Sequence, residues 1–171
     1  VVMFGANDRP PVRVHGAVDP TLLANFTKVY ASRVGNIIAT LQNAHIPVIW
    51  VGHPIVRDET FSADMAILNT IFQAQTTQKK AQFAPLWAAF AEDDHFAAYG
   101  EGVDGVKVRL RADDGVHLTS AGYQKAAKIL EPLIAQYQPG IVHEESKPAA
   151  AAPPVQVAVP TQDVKPQQPT A

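Results

Sequence analysis

Three short apolar runs, each halted by glycine or proline and each followed by a helix-like segment, constrain this chain more than any other feature. "VVMFG" (1–5) stops at Gly5, "IPVIWVG" (46–52) stops at Gly52, and the start of "QFAPLWAAF" is limited by Pro85. Such runs are typical of parallel strands buried on both faces, for which alternation is not required. From Thr21 to about Ala44, Leu22, Phe26, Val29, Tyr30, Val34, Ile37, Ile38 and Leu41 recur at helical spacing, with Asp19 or Thr21 as N-cap. A second helix is predicted from about Ala63 to Lys80, with Ile67, Leu68, Ile71 and Phe72 inward. "VKVRLR" (106–111) alternates apolar and basic residues like a small exposed strand. "TSAGYQKAAKILEPLIAQY" reads as the last helix, with Tyr123, Ala127, Leu130, Leu133 and Ile134 on one face. Strand, helix, strand, helix, strand, helix implies a parallel sheet with helices on both faces, a three-layer α/β/α architecture.

The 171 residues allow one domain with a real core, and 47% hydrophobic against 18% charged residues fits a globular protein. A net charge of −2 gives no electrostatic case for nucleic acid or an anionic membrane surface. No apolar run approaches the roughly 20 residues of a membrane span, and without cysteine there are no disulfides or thiolate metal sites. The chain opens on Val1 directly in a strand-like run, so the expectation is a C-terminal portion of a longer protein, with any targeting segment upstream. The domain is expected over residues 1–140. Residues 141–171, rich in Pro, Ala and Gln, are expected to be a disordered tail that serves as a spacer.

Polar residues just beyond parallel strand ends face the usual crevice of such a sheet. After the first strand stands "GAND". Asn7 can aim its side-chain N–H groups into the crevice as an oxyanion donor; alternatively Asn7 and Asp8 make an Asx-type turn. Before the last helix stands "DGVH". A turn eased by Gly115 lets Asp114 accept from one nitrogen of His117, fixing its tautomer and leaving the other as a general base. The bland alternative is a surface histidine bonded to a neighbour. Thr119 or Ser120 is expected to cap the helix that follows.

Together the two motifs resemble the SGNH, or GDSL-like, hydrolases over about residues 1–137. "GAND" resembles that family's third block and "DGVH" its fifth. "PVIWVGHP", "FAPLW" and "LRADDGVHLTSAGYQKAAK" are similar to the DUF459 branch. The resemblance implies a flavodoxin-like SGNH fold, with Asn7 in the oxyanion hole, Asp114 as orienter and His117 as base. It implies ester hydrolysis of a small acyl group, such as an O-acetyl on an envelope glycan, without cofactor or metal, in the periplasm or cell envelope. The blocks carrying the nucleophilic Ser and the oxyanion Gly are not found. Ser32 falls mid-helix, Ser62 at a helix start, Ser120 at the cap and Ser146 in the tail, and there is no G-x-S-x-G elbow. The nucleophile is therefore expected outside this chain, with the first strands missing and the "VVMFG" edge left as an association site.

Other features are weaker. "GEGVDG" (100–105) matches G-x-G-x-x-G but precedes a strand, the wrong order for a dinucleotide site. "EDDH" (92–95) reads as a solvated loop before it reads as a metal site. Asp8, Arg9 and His53 are candidates for the substrate pocket; Arg111 either binds an acidic group or pairs with Asp113 or Asp114. Acyl transfer to a sugar uses the same residues as hydrolysis. A non-catalytic envelope binding or assembly protein and a flavodoxin-like phosphate binder are the readings from other classes.

Overall fold

A computed structural model describes residues 1–137 of the chain; the expected tail over 141–171 lies outside the described residues. After "GAND", β1 (Arg13–Val14) and β2 (Ala17–Val18) form a small antiparallel hairpin. Its turn residues, His15 and Gly16, both take positive φ, 50° and 84°. The stretch "ANDRPPVRVHGAVDP" (6–20), with Pro10, Pro11 and Pro20, reads from the sequence as a loop throughout. The two left-handed residues make the tight turn that lets the strands pair.

Asp19 caps α1 (Pro20–Asn43), accepting from the Leu22 N–H at 2.8 Å, and Pro20 occupies the first turn, where no helical N–H is required. Tyr30, Val34 and Ile38 form its buried stripe, one turn apart. Then β3 (Ile49–Val51) leads to α2 (Glu59–Gln78). This helix starts earlier than the expected Ala63 because the Asp58 carboxylate takes the Phe61 N–H at 2.6 Å. β4 (Gln82–Ala84) ends at Pro85 and pairs in parallel with β3, Trp50 opposite Phe83.

On the other edge of β3, the Val2 N–H donates to the Ile49 carbonyl and the Val51 N–H to the Val2 carbonyl, both at 2.8 Å. These bonds make one parallel bridge, Val2 to Trp50. The order across the sheet is thus the Val2 segment, β3, β4, all parallel. "VVMFG" was expected to be buried on both faces, but Val1, Met3 and Phe4 are 64%, 47% and 42% exposed. Only Val2 engages the ladder, and among the described residues no strand covers the outer edge.

Alternation along β3 decides the layers. Val48 and Trp50 enter a core with Tyr30, Val34 and Ile38 of α1 and Met65, Leu68 and Phe72 of α2. Ile49 and Val51 turn the other way, joining Ala84, Leu86, Phe90 and Leu110. The last helix, α3 (Ser120–Ala135), covers that second face through Ala126, Ile129, Leu130 and Leu133. Each fully buried large apolar side chain here contributes on the order of 1.5–3 kcal/mol. Of the face expected to point inward, Leu130, Leu133 and Ile134 do pack on this core, but nearer the N-terminus Gly122 and Ala126 are buried where Tyr123 and Ala127 were expected: Ala127 is exposed and Tyr123 is 58% exposed. Gly122 packs against the Leu110 carbonyl, an approach only a residue without a side chain permits, and this sets the rotation of the helix.

Between β4 and α3, a 3₁₀ turn (Ala88–Phe90) leads to two hairpins: β5 (Ala91–Glu92) with β6 (His95–Phe96), and β7 (Tyr99–Glu101) with β8 (Lys107–Arg109). Asp93 and Asp94, at φ 52° and 61°, are the turn of the first, so "EDDH" is hairpin chemistry. "GEGVDG" supplies the turn of the second. Among the described residues, no helix is long and apolar enough to cross a membrane.

Candidate active site

The loop joining β8 to α3 folds on itself before it offers a side chain. Arg111 and Leu118 form an antiparallel bridge, and the Ala112 N–H donates to the His117 carbonyl at 2.9 Å. Inside this loop Asp114 Oδ1 accepts the N–H groups of Val116 and His117, at 2.8 and 2.9 Å. Its other oxygen, Oδ2, meets His117 Nδ1 at 2.5 Å. Gly115 makes the turn at φ 71°, and a Cβ there would lie 2.5 Å from Arg57 Cβ, so conformation and space both require glycine.

A carboxylate facing Nδ1 puts the proton there and leaves Nε2 able to accept one. The His117 side chain, then the backbone N–H groups of His117 and Val116, holds the Asp114 carboxyl well below the usual carboxylate range. The pair is open to solvent, with His117 72% and Asp114 48% exposed. Thr119 caps α3 by accepting the Gly122 N–H at 3.2 Å, while its hydroxyl donates to the Arg109 carbonyl at 2.7 Å. Ser120 is the first helical residue and is exposed.

His117 borders a cleft of about 220 Å³ between this loop and the ends of the parallel strands. Ala6 of "GAND", Phe4, His53, Val116 and Tyr123 share it. Gly5 lets the first segment turn here: its φ is 112°, and a Cβ would stand 2.9 Å from Tyr30 Oη and 3.1 Å from the Phe72 ring. Asn7 follows on that turn with its side chain exposed. Its neighbour Ala6 lines the cleft, and no hydrogen bond ties the Asn7 amide to another described residue.

Asp8 and Arg9 are placed elsewhere. Tyr30 donates to Asp8 Oδ2 at 2.8 Å; burial first, and this carboxylate second, pushes the Tyr30 phenol up. Arg9 Nε donates to Asp64 Oδ2 at 2.8 Å, Arg13 pairs with the other oxygen, and the Arg9 guanidinium lies 4.6 Å over the Phe61 ring. Asp8 and Arg9 thus border a separate hollow with Phe26 and Arg33 and pin the 6–13 segment to α1 and α2. Phe4 and Tyr123 are walls of the cleft that sequence reasoning missed, because Phe4 reads as part of a buried strand and Tyr123 as part of the inward face of the last helix.

His53 lies at the end of β3, 4% exposed, its backbone held by Asn69: His53 N–H to Oδ1 at 2.7 Å and Asn69 Nδ2 to the His53 carbonyl at 2.8 Å. Its Nε2 is buried without a hydrogen-bond partner. Burial draws the imidazole below its usual range, opposed in part by the Phe4 backbone. The unfolded chain therefore takes up a proton at this histidine at a pH where the folded chain does not. Stability is expected to fall as pH drops below about 6.5. The loss of melting temperature between pH 7 and pH 5 should be smaller in His53→Leu; an equal loss would place the acid sensitivity at another group.

Arg111 is wholly buried. It was expected to bind an acidic group or to pair with Asp113 or Asp114, but its hydrogen bonds go to main-chain carbonyls: Nη1 to Ile55, and Nη2 to Gly115 and Val116 at 3.2 and 2.8 Å. Asp113 instead pairs with Arg109. Burial draws Arg111 down to about 10, against the pull of the Asp114 charge.

The sequence model of a family described as "Protein of unknown function (DUF459)" matches residues 1–133. Among solved structures, the chain is similar to the esterase domain of the ORF1 protein from the zebrafish ZfL2-1 retrotransposon. The identity is 18% and the TM-score 0.50, over 64% of this chain and 60% of that one. A Bacteroides fragilis protein described as an acylhydrolase aligns at 17% identity and TM-score 0.49, over 65% of this chain and 52% of that one. The chain spans roughly half to three-fifths of the length of these structures. At such identity the likeness to the esterase domain is one of fold. No curated protein matches the chain.

Proposed function

The chain belongs to the DUF459 family, and from that premise we propose that it carries the acid–base half of a serine ester hydrolase of the SGNH kind. One observation carries the reading: a carboxylate 2.5 Å from His117 Nδ1, in a histidine whose ring borders an open cleft at the strand ends. That is the arrangement in which an imidazole accepts a proton from a hydroxyl nucleophile and returns it to a leaving group.

In the proposed reaction a serine hydroxyl attacks the acyl carbon, and its proton passes to His117 Nε2. Asp114 holds the ring and stabilises the imidazolium that results. The tetrahedral oxyanion takes hydrogen bonds from the turn after Gly5, where Asn7 offers an unengaged amide; such a donor is typically worth on the order of 10²–10³ in turnover. Collapse expels the alcohol, which takes the proton from His117, and water then releases the acid by the same route.

We place the serine outside these 171 residues. Ser32 is exposed on α1, Ser62 is buried with its hydroxyl accepting the Val56 N–H at 3.3 Å, and Ser120 begins α3. Ser146 lies outside the described residues. The cleft suits a small acyl group, and the substrate class we propose is an O-acetyl ester, including one on an envelope glycan, which would put the protein in the periplasm or cell envelope. Transfer of the acyl group to a sugar needs only that a hydroxyl replace water in the second step.

The test is p-nitrophenyl acetate turnover by the full-length protein that contains this chain, with and without a sugar acceptor. His117→Ala is expected to lower turnover by on the order of 10²–10⁴. Unchanged activity would mean that His117 is not the base.

A further inference from the structure

The loop that presents Asp114 and His117 is held from behind by a residue no acid–base scheme uses. The Arg111 side chain is completely buried between two loops. One is the segment after β3, where Nη1 donates to the Ile55 carbonyl; the other is the active-site loop, where Nη2 donates to the carbonyls of Gly115 and Val116. Both loops line the cleft, the first through His53 and Val56 and the second through Val116 and His117.

A second arginine closes the same seam. The Arg57 N–H donates to the Gly115 carbonyl at 3.1 Å, and its guanidinium donates to the Asp113 carbonyl at 2.7 Å. The Phe96 ring serves both guanidinium groups, at 5.2 Å from Arg57 and 5.1 Å from Arg111. Arg57 is a surface residue, whereas Arg111 is enclosed and its planar fork alone reaches carbonyls on both loops. Burying a guanidinium is costly, and charge-assisted bonds to several carbonyls offset that cost only where the acceptors are already in place. Equally, without Arg111 the Val116 carbonyl would lose its donor and the Gly115 carbonyl would keep only the Arg57 N–H.

We propose that Arg111 is a positioning residue: it ties the loop to the segment after β3 and holds it in the one conformation in which Asp114 meets His117 Nδ1. The inference rests on reading that pair as the acid–base pair. Its effect runs through the main chain, since the Val116 and His117 N–H groups that orient the Asp114 carboxylate belong to the same peptide units as the clamped Gly115 and Val116 carbonyls.

The test uses the full-length protein and reads the loop directly, without relying on turnover. In Arg111→Met, amide hydrogen exchange at Val116 and His117 is expected to accelerate by about tenfold or more relative to that at β3. The low-field proton resonance of His117 Nδ1–H should broaden or vanish. Arg111→Lys keeps the charge but not the fork; it should keep exchange at β3 near wild type while the loop still opens. If Arg111→Met fails to fold, the lysine variant decides alone. Activity, where measured, should fall in kcat with KM little changed. Loop exchange and a Nδ1 resonance like wild type in the variants would overturn the proposal and leave Arg111 as core packing. Because neither readout depends on ester cleavage, an absent esterase activity would sink the proposed function without touching this result.

Discussion

Asp114→Asn is expected to lower ester turnover of the full-length protein by on the order of 10²–10⁴ while leaving its fold intact. The amide oxygen can still accept the Val116 and His117 N–H groups that now go to Oδ1, so the loop keeps its turn. What is lost is the anion opposite Nδ1. With the amide oxygen kept there, the amide nitrogen faces Nδ1 and can only donate to it, which moves the ring proton to Nε2, where the base has to be free. The sign of the pH effect follows from the same contacts. Asp114 is held below the usual carboxylate range, so its contribution is present above the ordinary carboxylate pKa and lost only as pH falls through the depressed folded value. The pair is therefore intact across neutral and mildly acidic pH. Kinetics at neutral pH, a melting curve and nitrogen NMR of the His117 tautomer check the prediction together; a variant with near-normal turnover would contradict it.

Phe72→Ala should have the largest effect on stability, about 3–5 kcal/mol. The ring is wholly buried where three parts of the fold meet: Trp50 of β3 at 5.0 Å, Tyr30 of α1 at 6.2 Å and His53 at 5.7 Å, centroid to centroid. Those rings are held by separate elements, so they cannot collapse together into the space left behind. The loss also reaches the cleft, because the Phe72 ring stands against Gly5, where "GAND" turns. Urea unfolding measures it. Tyr123→Ala, at an exposed wall of the cleft, should change stability by less than about 0.5 kcal/mol; similar losses in both variants would mean that this core does not carry the fold as described.

Much of the scaffold was legible because it depends on local pattern. The stripe Tyr30, Val34, Ile38 and the Asp19 cap define α1, β-branched residues stopped by Gly52 define β3, and Pro85 marks the end of its parallel partner β4. The short-range pair Asp114 and His117 was legible for the same reason: three residues and a glycine suffice to bring carboxylate and imidazole together. What failed depends on tertiary contact. The rotation of α3 is set by Gly122 against the Leu110 carbonyl, which no periodicity reveals, and so Ala126 is buried in place of Ala127. Arg111 looked like one of the outward basic residues of "VKVRLR", with acids two and three positions ahead. Its partners are carbonyls up to 56 residues away, and main-chain acceptors leave no trace in a sequence. His15 and Gly16 gave a readable turn signal that the surrounding prolines obscured.

The most direct measurement is labelling of the full-length protein with a fluorophosphonate, followed by peptide mapping of the adduct. The account predicts one modified serine, outside these 171 residues, whose labelling is strongly slowed in His117→Ala. An adduct on Ser32, Ser62, Ser120 or Ser146, or labelling indifferent to His117, would contradict it.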